Sequence, residues 1–268
     1  LVWLRFFLGV IVLGIAVIVR KQFTLPDKKE WIYFALLGFL GITFHQWLQS
    51  NALKTSEAGT SAWIVSTSPV FIALLGWLLL KESLNLTKTL GILLAFGGVL
   101  VIVSKGDLGS LSIGKFGAPG DKLILISSVS WAVFSVLSRR GLKTHPASLM
   151  MFYVMIFGWL LTTLLFIPTH GFLEFYSLTF NGWVAAIFLG IFCSGLAYIA
   201  WYDALKALSA AQTGAFLYIE PLVTVVVAFF ILGETLSVAS LIGGAITLFG
   251  VWLVNRPGEL VQPTAETD

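Results

Sequence analysis

The chain has 268 residues, 58% of them hydrophobic and only 11% charged, with a mean hydropathy of +0.96 and a formal net charge of +3. That is too apolar for a soluble core. The apolar residues come in runs of about 20, the length that spans a hydrocarbon layer as helix, and the roughly 10-residue alternation of a barrel strand is missing. The basic residues sit in short loops, where they set membrane orientation; nucleic acid is excluded as the partner that the basic balance serves.

Nine apolar segments follow in order, at about 1–19, 31–53, 60–80, 87–104, 121–140, 147–168, 182–205, 212–232 and 237–255. Short connections such as Pro26-Asp27-Lys28-Lys29 predict antiparallel neighbours. The longest, Ser104 to Gly120, separates two copies of one pattern: Trp31–Gly106 recurs without a gap as Trp183–Gly258. The overlay pairs Gly38 with Gly190, Pro69 with Pro221, Glu82 with Glu234, Gly91 with Gly243 and Gly98 with Gly250, matches too position-specific for chance.

The expected division is residues 1–106 as a first repeat, 107–120 as the connecting loop, 121–256 as a second repeat and 257–268 as a polar, disordered tail. The second half has two segments before its copy and the first half only one. The prediction is an all-α polytopic membrane protein of two five-helix repeats, a ten-span fold with its first span missing and nine spans present. The chain begins apolar at Leu1 with no signal peptide visible, as expected of a sequence whose start lies upstream.

Assigning loops to alternate faces puts Arg20, Lys21, Lys28, Lys29, Lys81, Lys88, Arg139, Arg140, Lys143, Lys206 and Arg256 on one side, and Lys54, Lys105, Lys115 and Lys122 on the other. The first side, which includes the C-terminus, is predicted to be cytoplasmic. An odd number of spans per half inverts the copies, an architecture of secondary transporters whose substrate sits near the midplane.

Polar and aromatic residues at mid-span are the candidate site. His45 and Gln49 lie four apart on one helix face, where they either line a cavity or hydrogen-bond a neighbouring helix. Trp131 sits at the middle of its segment, and Tyr198, Trp201 and Tyr202 form an i, i+3, i+4 stripe; each fits a pocket wall or plain core packing. Trp63, a turn before Ser66 and Thr67, is a further candidate. Glu220, directly before Pro221, is an intramembrane carboxylate suited to proton coupling or, more plainly, to packing. Its counterpart in the first copy is Ser68.

Trp31, Trp183 and Trp252 read as interfacial anchors, Asn51 and Asp203 as helix-end or gate groups, and Arg5 as a residue that snorkels to the outer surface. Glu82 reads as structural, before Ser83 and Asn85 as caps. The single cysteine, Cys193, forms no internal disulfide. His45, His145 and His170 fall in different segments and make no metal cluster, and there is no phosphate-binding glycine loop with its lysine; no cofactor is expected. The rival class is a membrane-embedded enzyme acting on lipid or lipid-linked groups, for which Asn51, Asp203, His145 and His170 do not gather on one face.

At Leu80-Lys81-Glu82-Ser83-Leu84, its copy Leu232-Gly233-Glu234-Thr235-Leu236, Ile219-Glu220-Pro221-Leu222, Leu4-Arg5-Phe6, Ser130-Trp131-Ala132 and Ser138-Arg139-Arg140, the sequence resembles the drug/metabolite transporter superfamily, specifically its EamA-type members. The resemblance covers nearly the whole chain. It implies two inverted five-helix halves, a central cavity and alternating access for small metabolites, often export of amino acids or related compounds across the cell membrane. The expected partners are a small-molecule solute, the lipid bilayer and, through Glu220, protons; the unit is either a monomer or a homodimer.

Overall fold

The computed structural model describes residues 1–56, 61, 64–104, 106–107, 109, 119–167, 178–232 and 238–256. The predicted Trp63 and the tail 257–268 lie outside the described residues, as does most of the 107–120 connection. The chain runs through α1 (Val2–Val19), α2 (Lys28–Ala52), α3 (Ser68–Leu80), α4 (Leu86–Val103), α5 (Pro119–Gly141), α6 (Ala147–Phe166), α7 (Phe180–Ala207), the short α8 (Ala210–Ala215), α9 (Ile219–Leu232) and α10 (Val238–Asn255). No strand occurs among the described residues.

The exposed faces of these helices are as apolar as the buried ones. On α1, Phe6, Gly9, Leu13 and Val17 are buried, while Phe7, Ile11, Ile15 and Ile18 point outward. On α7, Val184, Phe188, Phe192 and Leu196, four residues apart, are all exposed. Helices apolar all round belong in lipid. Helices α1, α2, α5, α6 and α7 are long and apolar enough to cross a membrane, and α3, α4 and α10 add shorter apolar stretches. The all-α, multi-pass membrane class stands.

Capping chemistry sets the boundaries. Asp27 and Glu30 form a capping box at the start of α2, Asn85 accepts from the Lys88 amide at 2.9 Å to open α4, Thr179 opens α7, and Ser209 with Gln212 opens α8. Lys81, left-handed at φ 55, ends α3.

Two features of the backbone differ from the sequence expectation of uninterrupted spans. The segments predicted at 60–80 and 212–232 are broken, by a turn at Ser66–Thr67 and by a 3-10 turn at Phe216–Tyr218. Pro69 and Pro221 therefore stand in the first turns of α3 and α9, where a missing N–H and a fixed φ cost nothing. The second difference is a π-helical turn in each copy, Phe39–Phe44 within α2 and Leu189–Leu196 within α7. Shifting the first by the repeat offset lands it inside the second.

Packing forms two lobes, each built from both halves of the chain. One core joins α1, α2, α6 and α7 through residues such as Phe6, Phe34, Ile42, Met150 and Tyr202. The other joins α3, α4, α8 and α10 through Ala73, Val99, Ala215 and Val254, with Tyr218 between them. Ile72 of α3, Ala132 and Val136 of α5 and Ala210 of α8 connect the lobes. Helices α4 and α10 are held together by glycine: a Cβ on Gly98 would lie 2.6 Å from the Gly243 carbonyl, and one on Gly91 2.8 Å from the Gly250 carbonyl. The repeat offset converts each of these pairs into the other.

Ionic contacts gather at the end of the bundle holding the α1–α2, α3–α4, α5–α6 and α7–α8 connections. Arg20 pairs with Asp203 at 2.9 Å, Arg139 with Glu82 at 2.5 Å, and His145 with Glu30 at 3.4 Å. Glu82 also accepts from the Ala210 amide at 2.8 Å, and Arg139 donates to the Leu205 carbonyl. Glu82 thus fastens the α7–α8 connection to α5.

Candidate functional site

Helices α2, α5 and α7 converge between the lobes, and Trp131 of α5 is the hub of what they present. Its ring centroid lies 5.2 Å from His45, 5.2 Å from Phe134, 5.7 Å from Trp201 and 6.1 Å from Tyr198. Helical spacing accounts for the set: Trp131 and Phe134 are three apart on α5, and Tyr198 and Trp201 three apart on α7. The stripe's third member, Tyr202, is fully buried and hydrogen-bonds Ser138 at 2.9 Å, which makes it core. Trp131 and Trp201 are only partly buried.

His45 is aimed at this cluster by the π-helical turn that ends immediately before it. A wider turn rotates everything after it relative to a regular helix, and such turns are frequent at functional sites. Its Nδ1 lies 2.9 Å from the Ser127 hydroxyl and 3.2 Å from the Ser127 carbonyl. Accepting from the first makes Nε2 a donor; donating to the second makes it an acceptor. Ser127 thus sets both the ring's orientation and what Nε2 offers the site.

Arg5, expected to snorkel to the outer surface, turns inward. Its Nε donates to Ser194 at 3.0 Å, and its guanidinium carbon stands 4.8 Å over the Phe6 ring. Ser194 is fully buried within the π-helical turn of α7. Phe6 meets Tyr198 edge-on at 6.5 Å. The sequence reading missed Arg5, Ser127, Ser194 and Phe134 as neighbours of this cluster. A charge inside an apolar run, and a serine four residues before Trp131, were the available signals.

The other predicted site residues sit differently. Gln49 is half-buried one turn after His45. Glu220 is exposed in the isolated chain at the start of α9, where Tyr218 and Ile219 pack into the second core and not among these rings. Asp203 is engaged with Arg20, while Asn51 makes only local contacts, donating to the Trp47 carbonyl and accepting from Lys54. Trp31, Trp183 and Trp252 are exposed. Among the described residues no group of three His, Cys, Asp or Glu side chains could hold a metal ion.

What results is a mid-depth cluster of aromatic rings, two of them partly buried, with an oriented histidine and an arginine joined to it through Phe6. It can hold a flat, partly apolar molecule by stacking and hydrogen bonds. A family model described as the EamA-like transporter family matches residues 1–104 and 118–256. An "Uncharacterized transporter" of Archaeoglobus fulgidus is 33% identical over 260 residues, spanning 95% of this chain and 86% of the relative. A "Probable terminal-alkyne amino-acid exporter" of Streptantibioticus cattleyicolor is 28% identical over 86% of this chain and 75% of its own length. One crystal structure overlays with a TM-score of 0.76, covering 95% of this chain and 87% of its own; at 21% identity the likeness is one of fold.

Proposed function

Because the chain belongs to the EamA-like transporter family, a family of transporters and not of enzymes, we propose that it is a secondary transporter exporting small metabolites such as amino acids or related compounds. The observation that carries this reading is the half-open cluster of His45, Trp131, Tyr198 and Trp201, built at mid-span where helices of both repeat copies meet. Polar groups at that depth are kept for a pathway or a partner. The exporter named among the relatives supports the direction of transport and the amino-acid class.

In this proposal the two repeats, residues 1–106 and 121–256, are inverted copies that rock about the cavity. The paired π-helical turns, the breaks before Pro69 and Pro221, and the reciprocal glycine contacts of α4 and α10 support that symmetry. Discontinuous helices beside a central site suit alternating access. Gln49 extends the cavity wall, and Glu220 carries protons. The protein resides in the cell membrane, and the end rich in ion pairs and in Lys and Arg, with the C-terminus, faces the cytoplasm.

Comparing the metabolites released by cells with the gene, without it, and with His45→Ala or Trp131→Ala tests the reading. At least one small metabolite should rise outside the cells only when the unaltered gene is present. Identical profiles in all four strains would refute transport through this site.

A further inference from the structure

The candidate site is rich in donors and poor in acceptors, and that imbalance specifies charge. Arg5 has one protein hydrogen bond, from Nε to Ser194; both Nη groups are unbonded, and among the described residues no carboxylate pairs with it. Trp201 Nε1 is buried with no acceptor. Trp131 Nε1 and the Tyr198 hydroxyl also find no hydrogen-bond partner in the described chain. The acceptors beside them, the Ser127 and Ser194 hydroxyls, are already engaged with His45 and Arg5. Gln49 adds one amide, which can give or receive.

An unpaired guanidinium held against a buried serine midway along α7 is costly unless something neutralises it. Its two free Nη groups match the two oxygens of a carboxylate, and one positive charge matches a carboxylate better than a dianionic phosphate. The Phe6 ring under the guanidinium meets Tyr198 at 6.5 Å, and Tyr198 meets the Trp131 indole at 6.1 Å.

We propose that the site binds an organic carboxylate, with Arg5 holding the carboxylate and Trp131, Trp201 and Tyr198 receiving its flat apolar body. Arg5 is then the specificity-determining residue that selects anionic over neutral solutes. This rests on the transport reading above and narrows its substrate class. Ser194 positions Arg5, and the Phe6 ring lies 4.8 Å below the guanidinium.

The test uses the full chain and three probes of one shape: 3-phenylpropionate, 3-phenylpropionamide, which lacks only the charge, and L-phenylalanine. Equilibrium binding is measured in detergent and flux in sealed vesicles. Both carboxylates should bind about 10- to 100-fold more tightly than the amide, the range expected for hydrogen bonds to a charged group. Arg5→Gln should erase the preference, and Arg5→Lys, which keeps the charge but not the fork, should retain part of it. Melting midpoints of the variants, together with the partial activity of Arg5→Lys, separate lost recognition from lost folding.

Equal binding of acid and amide, or an acid preference that survives Arg5→Gln, overturns the carboxylate site. Acid-selective binding without flux leaves the site standing and removes the transport reading. Flux without acid preference does the reverse.

Discussion

Replacing Gly98 by alanine should loosen the α4–α10 seam, while the same change one residue earlier should not. A Cβ on Gly98 would lie 2.4 Å from Thr247 Oγ1, 2.6 Å from the Gly243 carbonyl oxygen and 2.7 Å from the Thr247 amide nitrogen, whereas one on Gly97 meets nothing within 4 Å. Two of the three Gly98 contacts are backbone, so no rotamer change relieves them and the helices must separate. Overpacking of that kind costs about 1–3 kcal/mol, offset by roughly 1 kcal/mol of helix propensity gained when alanine replaces glycine. Gly98→Ala should therefore destabilise by up to about 2 kcal/mol and Gly97→Ala should be neutral or stabilising by up to about 1 kcal/mol.

The assay is thermal unfolding of the purified protein in detergent, both variants side by side. The midpoint should fall by a few degrees for Gly98→Ala and hold or rise for Gly97→Ala. Adding Gly243→Ala to Gly98→Ala should cost less than its single effect, because helices already spread accommodate the second methyl group. Equal midpoints for Gly97→Ala and Gly98→Ala would refute the close approach of the two helices.

Three further outcomes follow from other contacts. Glu82→Ala should cost about 1–3 kcal/mol, since it strands the partly buried Arg139 and the Ala210 amide together; a Glu82→Ala/Arg139→Ala double variant should melt above the sum of the singles, a non-additivity read from the same scans. Asp203→Ala should change stability by less than about 1 kcal/mol, because its pair with Arg20 is exposed at 38% and 43%. Ser127→Ala removes the hydroxyl that orients His45 and should raise the KM for transport about 3- to 10-fold with little change in melting, the loss of roughly one hydrogen bond.

The sequence disclosed most where a physical constraint leaves a local mark. Apolar length announced the membrane helices, and turn-forming residues announced their ends: Asn85 caps α4 where a cap was expected. The aromatic stripe of α7 and the mid-span Trp131 and His45 were visible as residues out of place in lipid, and the structure brings them together. Other features depend on three dimensions. A π-helical turn has no composition signature, because it reflects packing of a whole helix, so the device that aims His45 could not be read in advance. Proline positions were plain, but whether a proline kinks a helix or begins one depends on what precedes it, and Thr67 and Tyr218 turn out to end the foregoing turn.

Arg5 shows the limit most clearly. A charge three residues into an apolar helix is commonly a snorkelling group at the surface, and only the position of Ser194 on a distant helix draws it inward. Glu220 shows the opposite case: its place before a proline in an apolar run marked it strongly, yet the aromatic rings gather elsewhere.

Transport through the aromatic cluster is tested most directly by solute flux into sealed vesicles containing the purified full chain, measured for the metabolite that cellular profiling identifies and compared with Trp131→Ala of matched melting midpoint. Saturable flux above that of protein-free vesicles is expected, reduced at least about tenfold by Trp131→Ala, since Trp131 is the ring that His45, Tyr198 and Trp201 all meet. Flux unchanged by Trp131→Ala, or chemical conversion of the solute without net movement, would contradict it.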